Sequence, residues 1–147
     1  MIHQQYFFTF FLARKKFNFS TKQRMHLPFT EMNDVGGSLP FEVRDLGDLR
    51  FFILERGTTS GTIPSEFSEI EDLLFLDLDF NELTGTIPET IFSLSDMIQL
   101  DLNNNQLTGT LSPSIGNLRN LVFFQMAANR FSGTLPQELE QLTKLRK

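Results

Sequence analysis

The sequence predicts a solenoid of stacked, similar coils: two recurring patterns support this fold class, and the absence of cysteine excludes other classes. Glycine recurs every 24 residues, each time followed by Ser or Thr, at Gly37, Gly61, Gly85, Gly109 and Gly133. Seven apolar positions recur in the same register and are filled throughout residues 49–144, except at Thr59. The 147 residues contain no cysteine, which excludes a disulfide scaffold or a thiolate metal site. Self-similarity at such a period is typical of coils that bury their apolar faces against each other.

We place the repeat domain at residues 25–147. Its coils begin at Met25, Leu49, Leu73, Met97 and Leu121, and a truncated sixth begins at Leu145. The copy from 25 to 48 has Pro28 and Thr30 at apolar positions, so we interpret it as a degenerate first coil. No residue that would cap the last coil is recognisable, and this coil is predicted to be left uncovered.

Residues 1–24 form a separate leader that is basic and rich in Phe. The first thirty residues carry five basic residues and no acid, which leaves 8 basic and 18 acidic residues for the remainder. The apolar run at residues 6–13 is shorter than the roughly 18–20 residues that cross a bilayer. Basic residues follow this run instead of preceding it, unlike those of a secretory signal. We interpret the leader as disordered or as a targeting segment.

Each coil is predicted to begin with a short strand. Apolar and polar residues alternate there, as in Leu76-Asp77-Leu78, which is typical of a strand with one buried and one solvated face. The glycine that follows permits a tight turn, and a proline soon after it, as at Pro64 and Pro88, opposes early formation of a regular helix. The return segment is therefore expected to be short and irregular.

A structural asparagine ladder is predicted where the strands end. Asparagine recurs at the ninth position of four coils, at Asn33, Asn81, Asn105 and Asn129, and Gly57 interrupts the series. A side-chain amide at this place can satisfy backbone groups of adjacent coils that would otherwise be buried without partners. Because the second coil lacks both the asparagine and an apolar residue at Thr59, we predict that it is the loosest middle coil.

This pattern resembles the plant-specific type of leucine-rich repeat, whose consensus is LxxLxLxxNxLxGxIPxxIxxLxx. Residues 73–96 read LLFLDLDFNELTGTIPETIFSLSD, and the resemblance covers about four fifths of the chain. It implies an α/β solenoid: a right-handed superhelix with a parallel sheet on its concave face and irregular or 3-10 structure on its convex side. In that family, such arrays form the ligand-reading ectodomains of receptor-like kinases and receptor-like proteins. The resemblance thus implies an extracellular or membrane-associated location, although no clear signal peptide or membrane span is recognisable.

No catalytic residue, metal site or cofactor is predicted, and we expect a protein that is not an enzyme. His3 and His26 are isolated from any partner that would make a metal site or a relay. Asp77 and Asp79 are expected on a solvated face, where nothing should raise the pKa of one above that of the other. The acidic repeat domain repels phosphate backbones, which argues against nucleic-acid binding.

The candidate binding surface is the concave face of the predicted sheet. Phenylalanine recurs at the third position and acidic or amide residues at the fifth and seventh, with Arg56 as the only base. The predicted residues are Phe51, Ile53, Glu55, Arg56, Phe75, Asp77, Asp79, Phe80, Gln99, Asp101, Asn103, Phe123, Gln125 and Ala127. Exposed aromatic residues beside polar ones favour a protein or peptide partner, here a basic one with an apolar anchor.

Three alternatives stay open. The third position could be partly covered by neighbouring coils and could simply tolerate phenylalanine. The chain could be a structural fragment of a longer array that assembles with further repeats, or with itself, through uncapped ends. The resemblance also includes stand-alone inhibitors of secreted enzymes.

Overall fold

The computed structural model describes residues 25–26 and 36–146, which form a stack of similar coils. In chain order the elements are β1 (Met25–His26), β2 (Gly36–Ser38), η1 (Phe41–Asp45), β3 (Phe51–Ile53), β4 (Thr58–Thr62), η2 (Ser65–Glu69), β5 (Phe75–Asp77), β6 (Glu82–Thr84), η3 (Glu89–Ser93), β7 (Gln99–Asp101), β8 (Thr108–Gly109), η4 (Pro113–Asn117), β9 (Phe123–Gln125), β10 (Arg130–Phe131) and η5 (Gln137–Gln141). The predicted leader and Asn33 lie outside the described residues.

The principal sheet contains five parallel strands in the order β1-β3-β5-β7-β9. Phe51 pairs with Phe75, Phe75 with Gln99 and Gln99 with Phe123, so equivalent positions of successive coils are neighbours. The first strand departs from the predicted register, because Met25 pairs with Phe52 where that register would pair it with Leu49. The strand of the first coil therefore lies three positions earlier in the chain than the 24-residue period places it.

The return segments are more regular than the sequence led us to expect. Two further parallel sheets, β2-β4-β6 and β8-β10, form around the recurring glycines. The amide of Thr108 donates to the carbonyl of Gly85 at 2.7 Å, which continues the pairing between these sheets. Gly85 has a φ of 78°, and a Cβ there would lie 2.9 Å from Cγ2 of Thr62. Close contact between adjacent coils thus requires glycine at this position.

The five η elements are 3-10 helices of five residues each, as the resemblance implies for the convex side. A proline in extended conformation immediately precedes four of them, for example Pro64 before η2 and Pro88 before η3. In η4 the proline lies inside the helix at Pro113, and Ser112 caps the helix by accepting a hydrogen bond from the amide of Ser114. The connection back to the sheet is therefore one tight helical segment per coil.

The apolar positions of the repeat form one continuous core between the strands and the 3-10 helices. Thr59 is also buried, although it is polar, and so is Phe92, which lies outside the seven predicted positions. The last coil is less well covered: Phe124, Met126 and Phe131 are only partly buried, and Leu135 is 71% exposed.

Three asparagines make the same set of hydrogen bonds in successive coils. The Nδ2 of Asn105 donates to the carbonyl of Leu78 in the preceding coil at 2.8 Å and also to carbonyls of its own coil. Its Oδ1 accepts the amide of Leu83 at 3.0 Å. Asn81 and Asn129 repeat this arrangement. Each amide thus joins two coils at the edge where the strand ladder stops.

Candidate functional site

The candidate site is the face of the principal sheet that points away from the core. Phe52, Leu76 and Leu100 are the central residues of β3, β5 and β7, and their side chains are buried in the core. The residues on either side of them in each strand therefore project from the opposite face. We call this surface the open sheet face. It consists of the third, fifth, seventh and eighth positions of each coil.

Phenylalanine rings lie along one side of the open sheet face. Phe51 and Phe75 are neighbours on β3 and β5, and their rings stack with centroids 4.7 Å apart and planes 16° from parallel. Gln99 interrupts the column, and Phe123 follows on β9. The ring of Phe123 is 42% exposed and lies 5.8 Å from the guanidinium carbon of Arg146.

A second aromatic group stands at the eighth position. Phe80 is 47% exposed, and the guanidinium carbon of Arg56 lies 5.7 Å from its ring centroid. Arg56, Phe80, Asn104 and Ala128, all at the eighth position, have φ between 51° and 56°. This left-handed conformation turns the chain away from the strand direction three residues after each of these four principal strands ends.

Acidic side chains occupy the middle of the open sheet face in a repeated hydrogen-bonding pattern. Asp77 Oδ1 accepts the amide of Asp79 at 3.2 Å, and its Oδ2 accepts Nε2 of Gln99 at 3.2 Å. In the next coil Asp101 accepts the amide of Asn103 at 3.0 Å and Nε2 of Gln125 at 2.5 Å. Each aspartate is thus fixed by its own turn and by the glutamine of the neighbouring strand.

This environment raises the pKa of both aspartates, contrary to the expectation of solvated carboxylates. Burial is the largest cause for Asp77, whose pKa rises to about 6, and repulsion from Asp101, Glu55 and Asp79 adds to it. Burial also raises the pKa of Asp101, with repulsion from Asp79 and Glu55. The open sheet face therefore carries carboxylates that ionise at a cost in free energy.

The structure places the predicted residues on one surface but exposes them unequally. Asp101 is only 5% exposed, so it is less accessible than the sequence suggested, because its neighbours on β9 and in the turn cover it. Phe51, Ile53, Glu55, Phe75, Asp77, Asp79, Gln99 and Asn103 are partly buried, whereas Arg56, Phe80, Phe123, Gln125 and Ala127 are exposed. Two of the three phenylalanines at the third position, Phe51 and Phe75, are thus partly buried, and Phe123 is exposed.

Reasoning from the sequence missed two residues of the face, Asn104 and Ala128, both at the eighth position. Asn104 donates from Nδ2 to Oδ1 of Asp79 at 3.2 Å and so links the polar groups of two coils. Its place beside Phe80 and Arg56 in the repeat would have indicated it. Within residues 25–26 and 36–146, no group of three or more His, Cys, Asp or Glu is arranged to hold a metal ion. In the same residues, no helix is long and apolar enough to cross a bilayer.

Comparisons with known proteins agree with this architecture. Residues 72–94 and 97–118 match the family described as Leucine Rich Repeat. A search of curated proteins found no match. Among solved structures, the chain is similar to a plant peptide hormone receptor, RGFR1, in complex with RGF2, with 32% identity and a TM-score of 0.76 over 77% of this chain and 18% of the receptor chain.

Two further solved structures are similar. The ectodomain of the Arabidopsis receptor kinase HAESA, in complex with an IDA peptide hormone ligand, has 29% identity and a TM-score of 0.73 over 75% of this chain and 18% of that chain. A chain of the BIR3–SERK2 complex from Arabidopsis thaliana has 31% identity and a TM-score of 0.68 over 74% of this chain and 60% of that chain. The chain thus spans about a fifth of the two larger receptors.

Proposed function

Because this chain is a leucine-rich repeat protein with repeats of the plant type, we propose that it is a non-enzymatic module that recognises a protein or peptide segment on the open sheet face. The ligand on this proposal is basic and carries an apolar anchor. Several similar structures are complexes of receptors with peptide hormones, which supports a peptide-reading role.

The observation that carries the proposal is the set of carboxylates on one rigid face. Burial raises the pKa of Asp77, and the negative charges of Asp101, Glu55 and Asp79 raise it further. A cationic side chain placed among them would relieve this repulsion and favour the ionised form. The stacked rings of Phe51 and Phe75 lie beside them on the same strands and provide an apolar contact for an anchor residue.

Binding should therefore depend on pH. With its pKa near 6, Asp77 is largely protonated at pH 5 and largely ionised at pH 7.5. If the ligand requires the ionised form, affinity should rise about tenfold between these two values. Protonation of a histidine on the ligand would have the opposite effect, because it would raise the affinity at the lower pH.

The test compares two model peptides of the same length. A fluorescein-labelled peptide Gly-Lys-Phe-Lys-Gly should bind the full chain more tightly than Gly-Glu-Phe-Glu-Gly in a fluorescence anisotropy titration at pH 7.5. Asp79→Asn should weaken binding of the basic peptide several-fold. Glu140→Gln is the matched control, because it removes one negative charge from the exposed side of η5, and it should leave the dissociation constant unchanged. Equal affinity for both peptides would refute a basic ligand.

A second candidate function is self-association through the last coil. It is favoured by Leu135, which is 71% exposed, and by Phe131 of the same coil, which is only partly buried. Light scattering of the purified chain distinguishes the two candidates. A monomer at a protein concentration of tens of micromolar would contradict self-association, whereas a dimer that Leu135→Glu disrupts would support it.

A further inference from the structure

A groove runs along one side of the solenoid, next to the start of the principal strands. Its floor is formed by the half-buried aliphatic side chains of Leu74, Ile98 and Val122, which occupy the second position of three successive coils. The groove has a volume of about 410 Å³ and extends from Arg50 to Lys144. It lies beside the open sheet face, since each floor residue immediately precedes a principal strand.

The backbone of the floor is already occupied by bonds between coils. The amide of Ile98 donates to the carbonyl of Leu74 at 2.7 Å, and the amide of Val122 donates to the carbonyl of Ile98 at 2.8 Å. The amide of Arg146 then donates to the carbonyl of Val122 at 2.9 Å. A ligand in this groove would therefore be recognised by side chains and not by addition of a strand.

The charges along the groove follow a definite order. Arg50 lies at one end and Lys144 at the other, whereas Asp72 and Asp96 lie between them. The Nζ of Lys144 donates to Oδ1 of Asn120 at 2.6 Å, and Nδ2 of Asn120 donates to Oδ1 of Asp96 at 3.1 Å. These bonds link Lys144, Asn120 and Asp96 on one side of the groove in the absence of a ligand.

The Arg50 side chain places a guanidinium charge at one end of the groove. Its Nε is buried without a hydrogen-bond partner among the described residues, so this atom is not itself open to a ligand. A carboxylate satisfies a guanidinium better than a neutral acceptor does. The Arg50 end of the groove is thus suited to an acidic group.

We propose that this groove binds an extended segment of a partner protein that runs along the solenoid axis. Its inward side chains are, in order, acidic at Arg50, basic between Asp72 and Asp96, aliphatic on the floor and acidic at Lys144. Four steps between adjacent coils at about 4.8 Å span about 19 Å, and alternate side chains of an extended chain lie about 6.7 Å apart. Seven residues therefore match the groove, with their first, third, fifth and seventh side chains facing inward.

The probe is a labelled, end-capped peptide, Glu-Ser-Lys-Ser-Leu-Ser-Glu. The control peptide, Lys-Ser-Glu-Ser-Glu-Ser-Leu, has the same composition and net charge in another order. We expect the control to bind the full chain at least about tenfold more weakly in a fluorescence anisotropy titration, because two of its charges meet like charges of the groove. Equal affinity of the two peptides would overturn the proposal.

Charge exchange tests the position of the ligand. Asp72→Lys should weaken binding of the probe about tenfold, and a probe with glutamate in place of its lysine should recover affinity for that variant. Glu71→Lys is the matched control, because it makes the same charge reversal one residue away at an exposed position outside the groove lining. If both variants weaken the probe equally, or if exchange restores nothing, the groove is not the binding site. Asp79→Asn, on the open sheet face, should not affect the probe, so the two proposals fail or succeed separately.

Discussion

Replacing Asp77 by asparagine should make the protein more stable at neutral pH and leave it almost unchanged in acid. The side chain is partly buried next to other carboxylates, and burial and their repulsion raise its pKa from the usual 3.8 to about 6. The folded protein therefore holds a proton on Asp77 more firmly than the unfolded chain does. Asparagine keeps an oxygen that can accept the amide of Asp79 but carries no charge.

The sign and size follow from proton linkage. Below about pH 4, Asp77 is protonated in both states and its ionisation costs no stability; as pH rises from about 4 to about 6, the folded protein must lose a proton at a cost, and stability falls. The difference between a pKa of 3.8 and a pKa of about 6 corresponds to about 3 kcal/mol. Because the carboxyl group keeps some contact with water, screening reduces this, and we expect Asp77→Asn to gain about 1–2 kcal/mol above pH 6.5.

Urea unfolding followed by circular dichroism between pH 4 and pH 7.5 measures this difference. The gain of Asp77→Asn over the natural sequence should develop as pH rises from about 4 to about 6 and stay constant above that range. Glu140→Gln, which removes a charge from the exposed side of η5, controls for net charge and should show a constant difference. A gain for Asp77→Asn that is the same at pH 4 and at pH 7.5 would refute the raised pKa and, with it, the electrostatic basis of the open sheet face.

Three further predictions concern the repeat itself. Asn105→Ala should lower the free energy of unfolding by about 2–4 kcal/mol, because a buried amide and a buried carbonyl of the preceding coil lose their partner, and Asn129→Ala in the less buried last coil should cost less. Ala128→Gly should stabilise by up to about 1 kcal/mol, since φ at Ala128 is 54°. Leu111→Ala should cost about 2–4 kcal/mol, but Leu135→Ala, at the equivalent position, less than about 0.5 kcal/mol, because Leu111 is 5% and Leu135 71% exposed.

The same denaturant titrations decide all three. If Asn105→Ala and Asn129→Ala lower the free energy of unfolding equally, the contribution of these hydrogen bonds between coils does not depend on burial. Destabilisation by glycine at Ala128 would show that its backbone conformation is not strained. A large loss at Leu135 would indicate that a second molecule or another segment covers this side chain in solution.

The repeat explains why much of the fold could be predicted from the sequence. Buried leucines such as Leu76 and Leu100 fill equivalent places in successive coils, so one correctly interpreted coil predicts the others. The expected 3-10 helices follow from prolines such as Pro64 and Pro88, which oppose a longer helix at the same point of each coil.

The features that sequence reasoning missed depend on contacts between coils. Asp101 looks exposed in the alternating pattern, but Gln125 of the next strand covers it, which no single coil reveals. The additional sheets form because glycine allows neighbouring turns to approach within pairing distance. The shifted pairing of Met25 arises in the degenerate first coil, where the apolar positions that fix the register are incompletely filled.

Three consecutive residues of one coil face three environments, and this separates the two proposed surfaces experimentally. Leu74 lies on the groove floor, Phe75 stacks on the open sheet face and Leu76 is buried in the core. If both proposals hold, Leu74→Ala weakens binding of the seven-residue probe and leaves the basic peptide Gly-Lys-Phe-Lys-Gly unaffected, whereas Phe75→Ala does the reverse. Equal effects of both variants on both peptides would mean that the two surfaces act as one binding site.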